Sequence, residues 1–99
     1  MLFATAATKT HIMTIEQIEK VIGHIPEDFN HPTKIFFKTR NTVEGVFIRT
    51  ADYSELKGKN FWRIVTVKHI EDYRKSKDTN LSRIFNGTEF VKLAHEKKS

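Results

Sequence analysis

The sequence predicts a mainly β domain: one N-terminal helix, then five short strands curled into a small, strongly bent barrel. Three observations carry this. The 99 residues support a single domain, and a chain of that size buries roughly 65% of its unfolded surface, enough for one core and no deep cavity beside it. Aromatic residues make up 11%, eight of them Phe beside one Trp and two Tyr, a β-leaning core. A glycine, Gly45, interrupts a β run at the kind of place where a strand bends sharply or backbones approach closely.

The first patterned stretch is TIEQIEKVIGHIP at 14–26. Thr14 is placed as an N-cap with Gln17 reaching back to complete a capping box. Ile15, Ile18, Val21 and Ile22 share one helical stripe; Gly23 and Pro26 stop the helix. His24, beside that end, suits the helix dipole. EDFNHPT at 27–33 is a connector. KIFFKTR (34–40) and VEGVFIRT (43–50) read as a hairpin across Asn41–Thr42.

ADYSELKGKN (51–60) is polar, contains Gly58 and reads as a loop. NFWRIVTV (60–67) is the third strand; of its adjacent Phe61 and Trp62, one is expected in the core, because neighbouring strand residues face opposite ways. HIEDYRK (69–75) reads as a short fourth strand and SKDTN (76–80) as a loop. LSRIF (81–85) fits a strand end or one helical turn capped by Asp78. TEFVKL (88–93) is the last strand. Asn86-Gly87 suits left-handed backbone angles and a tight reversal. The resulting organisation is a flexible N-terminal tail at 1–13, a barrel domain at 14–94 and a C-terminal tail at 95–99. One helix followed by five strands in so short a chain argues an SH3-like barrel. Such an open barrel leaves strand edges that invite another copy, and a fixed rotation at each pairing closes a ring.

Charge adds a partner class. Residues 1–33 carry two basic and four acidic side chains, net −2; residues 34–99 carry fifteen and eight, net +7. That asymmetry points to an anionic partner, nucleic acid first. A duplex-DNA binder using the basic face stays open as a rival, but nothing resembles a recognition helix, because the only clear helix lies in the acidic third of the chain.

Several functions are excluded as expectations. The chain has no Cys, hence no disulfide and no thiolate zinc ligand, which suits a reducing, cytoplasmic setting. Its five histidines lack paired metal spacing. No nucleophile elbow and no Gly-rich phosphate loop is present, and Glu27-Asp28 and Glu71-Asp72 are adjacent rather than convergent. The reading is therefore a non-catalytic protein without cofactor or metal. No run reaches the roughly 20 apolar residues of a membrane helix. The start MLFATAATKTHI lacks the basic residue that opens a secretory signal. Met13, directly before the helix, is a candidate alternative start.

The order helix, then five strands, with Gly45, Asp52 and Asn60 along strands two and three and Phe85, Asn86, Gly87, Phe90 and Leu93 late in the chain, resembles the Sm-like (LSm/Hfq) family over roughly residues 14–93. The chain departs from the family pattern in three places. The loop between Asp52 and Asn60 is longer. Gly58 stands where the family stacks an aromatic on a base, leaving Tyr53 or Phe61 for that role. Asn86 replaces the arginine of the second motif. The resemblance implies a homo-oligomeric ring, pentamer to heptamer, binding single-stranded RNA at pore-side loops through Asp52, Tyr53, Lys59, Asn60, Asn86 and Gly87. Lys57, Lys59 and Arg63 flank the first loop, and Arg74, Lys75, Lys77 and Arg83 the second. Repeating a weak site around a ring multiplies effective affinity. The alternative is a small-barrel structural or protein-interaction module, viral forms included, without nucleic acid. In that reading Asn60, Asp52 and Asn86-Gly87 only brace turns.

Overall fold

The computed structural model describes residues 12–25 and 29–95. The proposed tails lie for most of their length outside those residues, as does Pro26. Helix α1 spans Ile15–Gly23. Thr14 Oγ1 accepts from the Gln17 amide at 3.1 Å while the Gln17 side chain accepts from the Thr14 amide at 2.9 Å, so the capping box closes in both directions. Ile18 and Ile22 are the buried face, and His24 Nδ1 lies 2.8 Å from the Lys20 carbonyl at the helix end.

Five antiparallel strands follow: β1 Thr33–Phe37, β2 Val43–Phe47, β3 Phe61–Thr66, β4 Arg83–Asn86 and β5 Phe90–His95. They form one sheet in the order β4-β3-β2-β1-β5. Two of the expected elements are overturned. The 51–60 stretch is not loop throughout but holds helix α2, Tyr53–Gly58. The stretch read as the fourth strand is helix α3, Ile70–Ser76. Its two buried residues, Ile70 and Tyr73, are three apart, a helical and not an alternating spacing. The true β4 comes from the 81–85 stretch: Asp78 Oδ1 caps a single 3-10 turn at Thr79–Leu81 and the strand begins two residues later. The domain is thus mixed α and β rather than mainly β. Helix α3 also overturns the expectation that the only clear helix lies in the acidic third of the chain.

Gly45 explains how the sheet bends. It pairs with Thr33 of β1 and with Thr66 of β3, so β2 leaves one neighbour for the other at this residue. A Cβ here would lie 2.6 Å from the Val65 carbonyl and 2.7 Å from Ile64 Cγ2, which only glycine avoids. The curl is also forced by connectivity. The edges of a flat five-stranded sheet are about 19 Å apart. The four residue-to-residue steps from Asn86 to Phe90 cover at most about 14 Å, yet they join β4 to β5 at opposite edges.

The inner faces of the two halves therefore meet. Phe37 of β1 approaches Phe85 of β4 with centroids 5.8 Å apart, and Phe90 of β5 meets Phe47 of β2 at 6.3 Å. Trp62, Ile64 and Ile35 join them, and α1 adds Ile18 and Ile22. A second cluster lies on the other face, where α3 sets Ile70 and Tyr73 against Val46, Ile48 and Val65. Trp62 is the core member of the Phe61–Trp62 step, 2% exposed. Among the described residues β4 and β5 do not pair with each other and no further strand joins either, though the Met13 amide donates to the Phe90 carbonyl of β5 at 2.9 Å.

Candidate functional site

The sheet brings Asn60, Asn86 and Gly87 together. Asn60 takes a φ of 63°, in the left-handed region that asparagine tolerates. This turn ends α2 and launches β3, with the Asn60 amide donating to the Lys57 carbonyl at 2.9 Å. The Asn60 carbonyl accepts from the Gly87 amide at 2.8 Å, and Asn60 Oδ1 accepts from the Trp62 indole N–H, also at 2.8 Å. Gly87 is buried because this hydrogen bond passes where a Cβ would stand, 2.6 Å from Trp62 Nε1 and closer still to Asn60 Oδ1.

Asn86 faces Phe61 across the β3–β4 ladder and is exposed. Its Oδ1 accepts from the Thr88 amide at 3.0 Å and the Thr88 hydroxyl at 2.8 Å, opening the 3-10 turn Gly87–Glu89. The expected turn is present, but its expected reason is corrected. No glycine of the described residues has a positive φ; Gly87 is needed for missing bulk, not for left-handed angles.

Asp52, Tyr53 and Lys59 bracket α2. Asp52 accepts from the Thr50 hydroxyl and, at 2.8 Å, from Arg63 Nη2. Those donors, Thr50 first and Arg63 second, hold its carboxyl below the ordinary carboxylate range. Arg63 is 19% exposed, and its Nε is buried with no partner, so Asp52 is the charge that makes its burial tolerable. Tyr53 meets Trp62 edge-on at 6.2 Å, with Arg49 and Lys57 each 5.9 Å from its ring centroid. Lys59 is exposed. Contacts therefore run from Tyr53 through Trp62 to Asn60 and Gly87, and from Trp62's neighbour Arg63 to Asp52.

Asp52 makes stability depend on acid. A carboxylate whose pKa falls on folding contributes fully above its unfolded value, and the contribution disappears as pH falls through the folded one. Melting midpoints of the native chain should therefore drop from about pH 5 downward. In Asp52→Asn the midpoint should be lower at neutral pH and its acid decline shallower. Identical profiles would show that the Asp52–Arg63 pair does not contribute.

The basic residues divide by pairing. Lys57 contacts Glu19 at 2.5 Å, which raises its pKa, Arg63 contacts Asp52, and Arg74 contacts Glu71 at 3.4 Å. Among the described residues Arg40 and Arg83 meet no carboxylate; both lie over aromatic rings instead. Arg40 carries no signal in the sequence, since its place beside Phe85 depends on the curl. No group of the described residues is arranged to hold a metal ion, and no helix among them is long and apolar enough to cross a membrane. Compared with protein-family models, curated proteins and solved structures, the chain finds no match.

Proposed function

We propose that the chain is a non-catalytic, Sm-like small-barrel protein whose copies join edge to edge into a ring and hold single-stranded RNA at the loops around the pore. The observation that carries this reading is the pair of open edges. β4 and β5 end the same antiparallel sheet on opposite sides, and among the described residues neither pairs with a further strand, so an edge of one copy can extend the sheet of the next beyond the Phe90 carbonyl that Met13 takes. A curled sheet turns each addition through an angle, and a repeated angle closes a ring. The +7 balance of residues 34–99 supports the RNA half of the reading. So does the clustering of Asn60, Asn86 and Gly87 at one loop junction.

A second reading is a structural or protein-interaction module of the same shape, without nucleic acid. It is favoured by the side-chain oxygens of Asp52, Asn60 and Asn86, all of which accept hydrogen bonds from within the chain. Light scattering after size exclusion, with titration of labelled oligo-U, oligo-A and duplex DNA at two salt concentrations, separates the two. The RNA reading expects an oligomer and salt-weakened oligo-U binding. A monomer at high micromolar concentration refutes the stable ring. An oligomer that binds no oligonucleotide even in low salt decides for the second reading.

A further inference from the structure

We infer that Arg40 and Arg83 form a phosphate-binding pair around the Phe85 ring, and that the phosphate belongs to the backbone of single-stranded nucleic acid. The inference rests on the RNA reading above and assigns it an electrostatic contact outside the loop residues Asn60, Asn86 and Gly87. Arg40, in the β1–β2 turn, lies 5.0 Å from the Phe37 ring centroid and 5.6 Å from that of Phe85. Arg83, the first residue of β4, lies 5.9 Å from the same Phe85 ring. Two cations far apart in sequence thus share one aromatic, because the curl sets Phe37 against Phe85.

Both arginines are exposed and neither has an acidic partner among the described residues, whereas Lys57, Arg63 and Arg74 each have one. Two like charges around one ring repel, and a shared anion relieves that repulsion. A guanidinium lying on an aromatic uses its face for the ring and keeps its in-plane N–H groups for an oxyanion, which it grips bidentately. The rings also order the two side chains in advance, which lowers the entropy cost of binding. Arg40 lies in the β1–β2 turn and Arg83 begins β4, so neither is carried on a recognition helix. A single strand is the ligand that fits such a pair, since its phosphates are reachable without one.

The test is fluorescence anisotropy with labelled oligo-U across a salt series. It compares the native chain with Arg40→Gln/Arg83→Gln and with Arg40→Lys/Arg83→Lys. The Gln pair should weaken binding roughly tenfold and lower the slope of log affinity against log salt by about 0.7 for each phosphate no longer neutralised. The Lys pair should keep most of the slope and lose part of the affinity, since charge remains and the bidentate fork does not. Melting midpoints accompany each variant; should the Gln pair melt early, the Lys pair supplies the reading. Native affinity and slope in a folded Gln pair would overturn the assignment and leave the RNA reading intact. A native chain that binds no oligo-U removes both.

Discussion

Gly87→Ala is expected to destabilise the domain by roughly 3 kcal/mol or more, from two effects that act together. The new methyl overlaps Asn60 Oδ1 and comes within 2.6 Å of Trp62 Nε1, and overpacking of this kind costs about 1–3 kcal/mol. Relief requires the Asn60 side chain to swing away. That leaves the indole N–H of a tryptophan only 2% exposed without its acceptor, a further cost of about 1–3 kcal/mol. A domain of this size has about 5–15 kcal/mol in total, so the midpoint of urea unfolding, followed by Trp62 fluorescence, should fall far. A cycle with Asn60→Ala isolates the mechanism. Asn60→Ala alone orphans the indole and also forces alanine into a φ of 63°. Once it is made, the Gly87 methyl is free of its main obstacle, so the second substitution should cost clearly less than in the native background. Equal costs in both backgrounds would show that Asn60 and Gly87 are not coupled. The cycle also governs how the RNA question is put. Weakened binding in Asn60→Ala has two causes, and only Asn86, whose hydrogen bonds are exposed and local, separates recognition from folding.

That coupling shows what the residue string makes legible and what it hides. Local codes are readable. Thr14 and Gln17 are three apart and need nothing beyond their own helix, and the apolar runs of β1, β2, β3 and β5 announce strands wherever they pack. Gly45 is readable as a bend, though not as the residue that changes partners between β1 and β3. Helices α2 and α3 are hidden because they are short and mostly polar. α2 has no buried residue, and α3 rests on Ile70 and Tyr73 alone. Two apolar positions three apart are too few to distinguish a helical period from an irregular strand. The 81–85 stretch is ambiguous because it lies at a junction, with a capped turn ending just where β4 begins. At the candidate site the sequence marks Asn60 and Gly87 separately. Their direct contact, and the placing of Arg40 and Arg83 around one ring, that of Phe85, are consequences of the curl, which no local spacing encodes.

If copies join edge to edge as proposed, Ile84→Lys is expected to yield monomers of 11.6 kDa while leaving the fold in place. Ile84 is 49% exposed, in the middle of the four-residue edge strand β4, beside the exposed Arg83. If copies join β4 to β5, the incoming edge carries the exposed Lys92. A lysine at 84 removes an apolar contact and sets like charges against each other across the new ladder, where opposed charges of one sign destabilise. Charged edge residues are also the common means by which isolated sheets avoid pairing. Inside a single chain the cost is small, because an exposed substitution away from the core usually changes stability by no more than about 0.5 kcal/mol. Light scattering should therefore report one chain per particle with a nearly native melting midpoint. An oligomer of unchanged mass would remove β4 from the interface. The variant also separates two contributions to RNA affinity. If a ring of sites is what binds, breaking it should weaken oligo-U binding by roughly 100-fold, far more than the roughly tenfold drop expected from removing Arg40 and Arg83. A monomer that binds oligo-U as tightly as the native assembly would place the whole affinity within one chain, and leave the ring without a part in recognition.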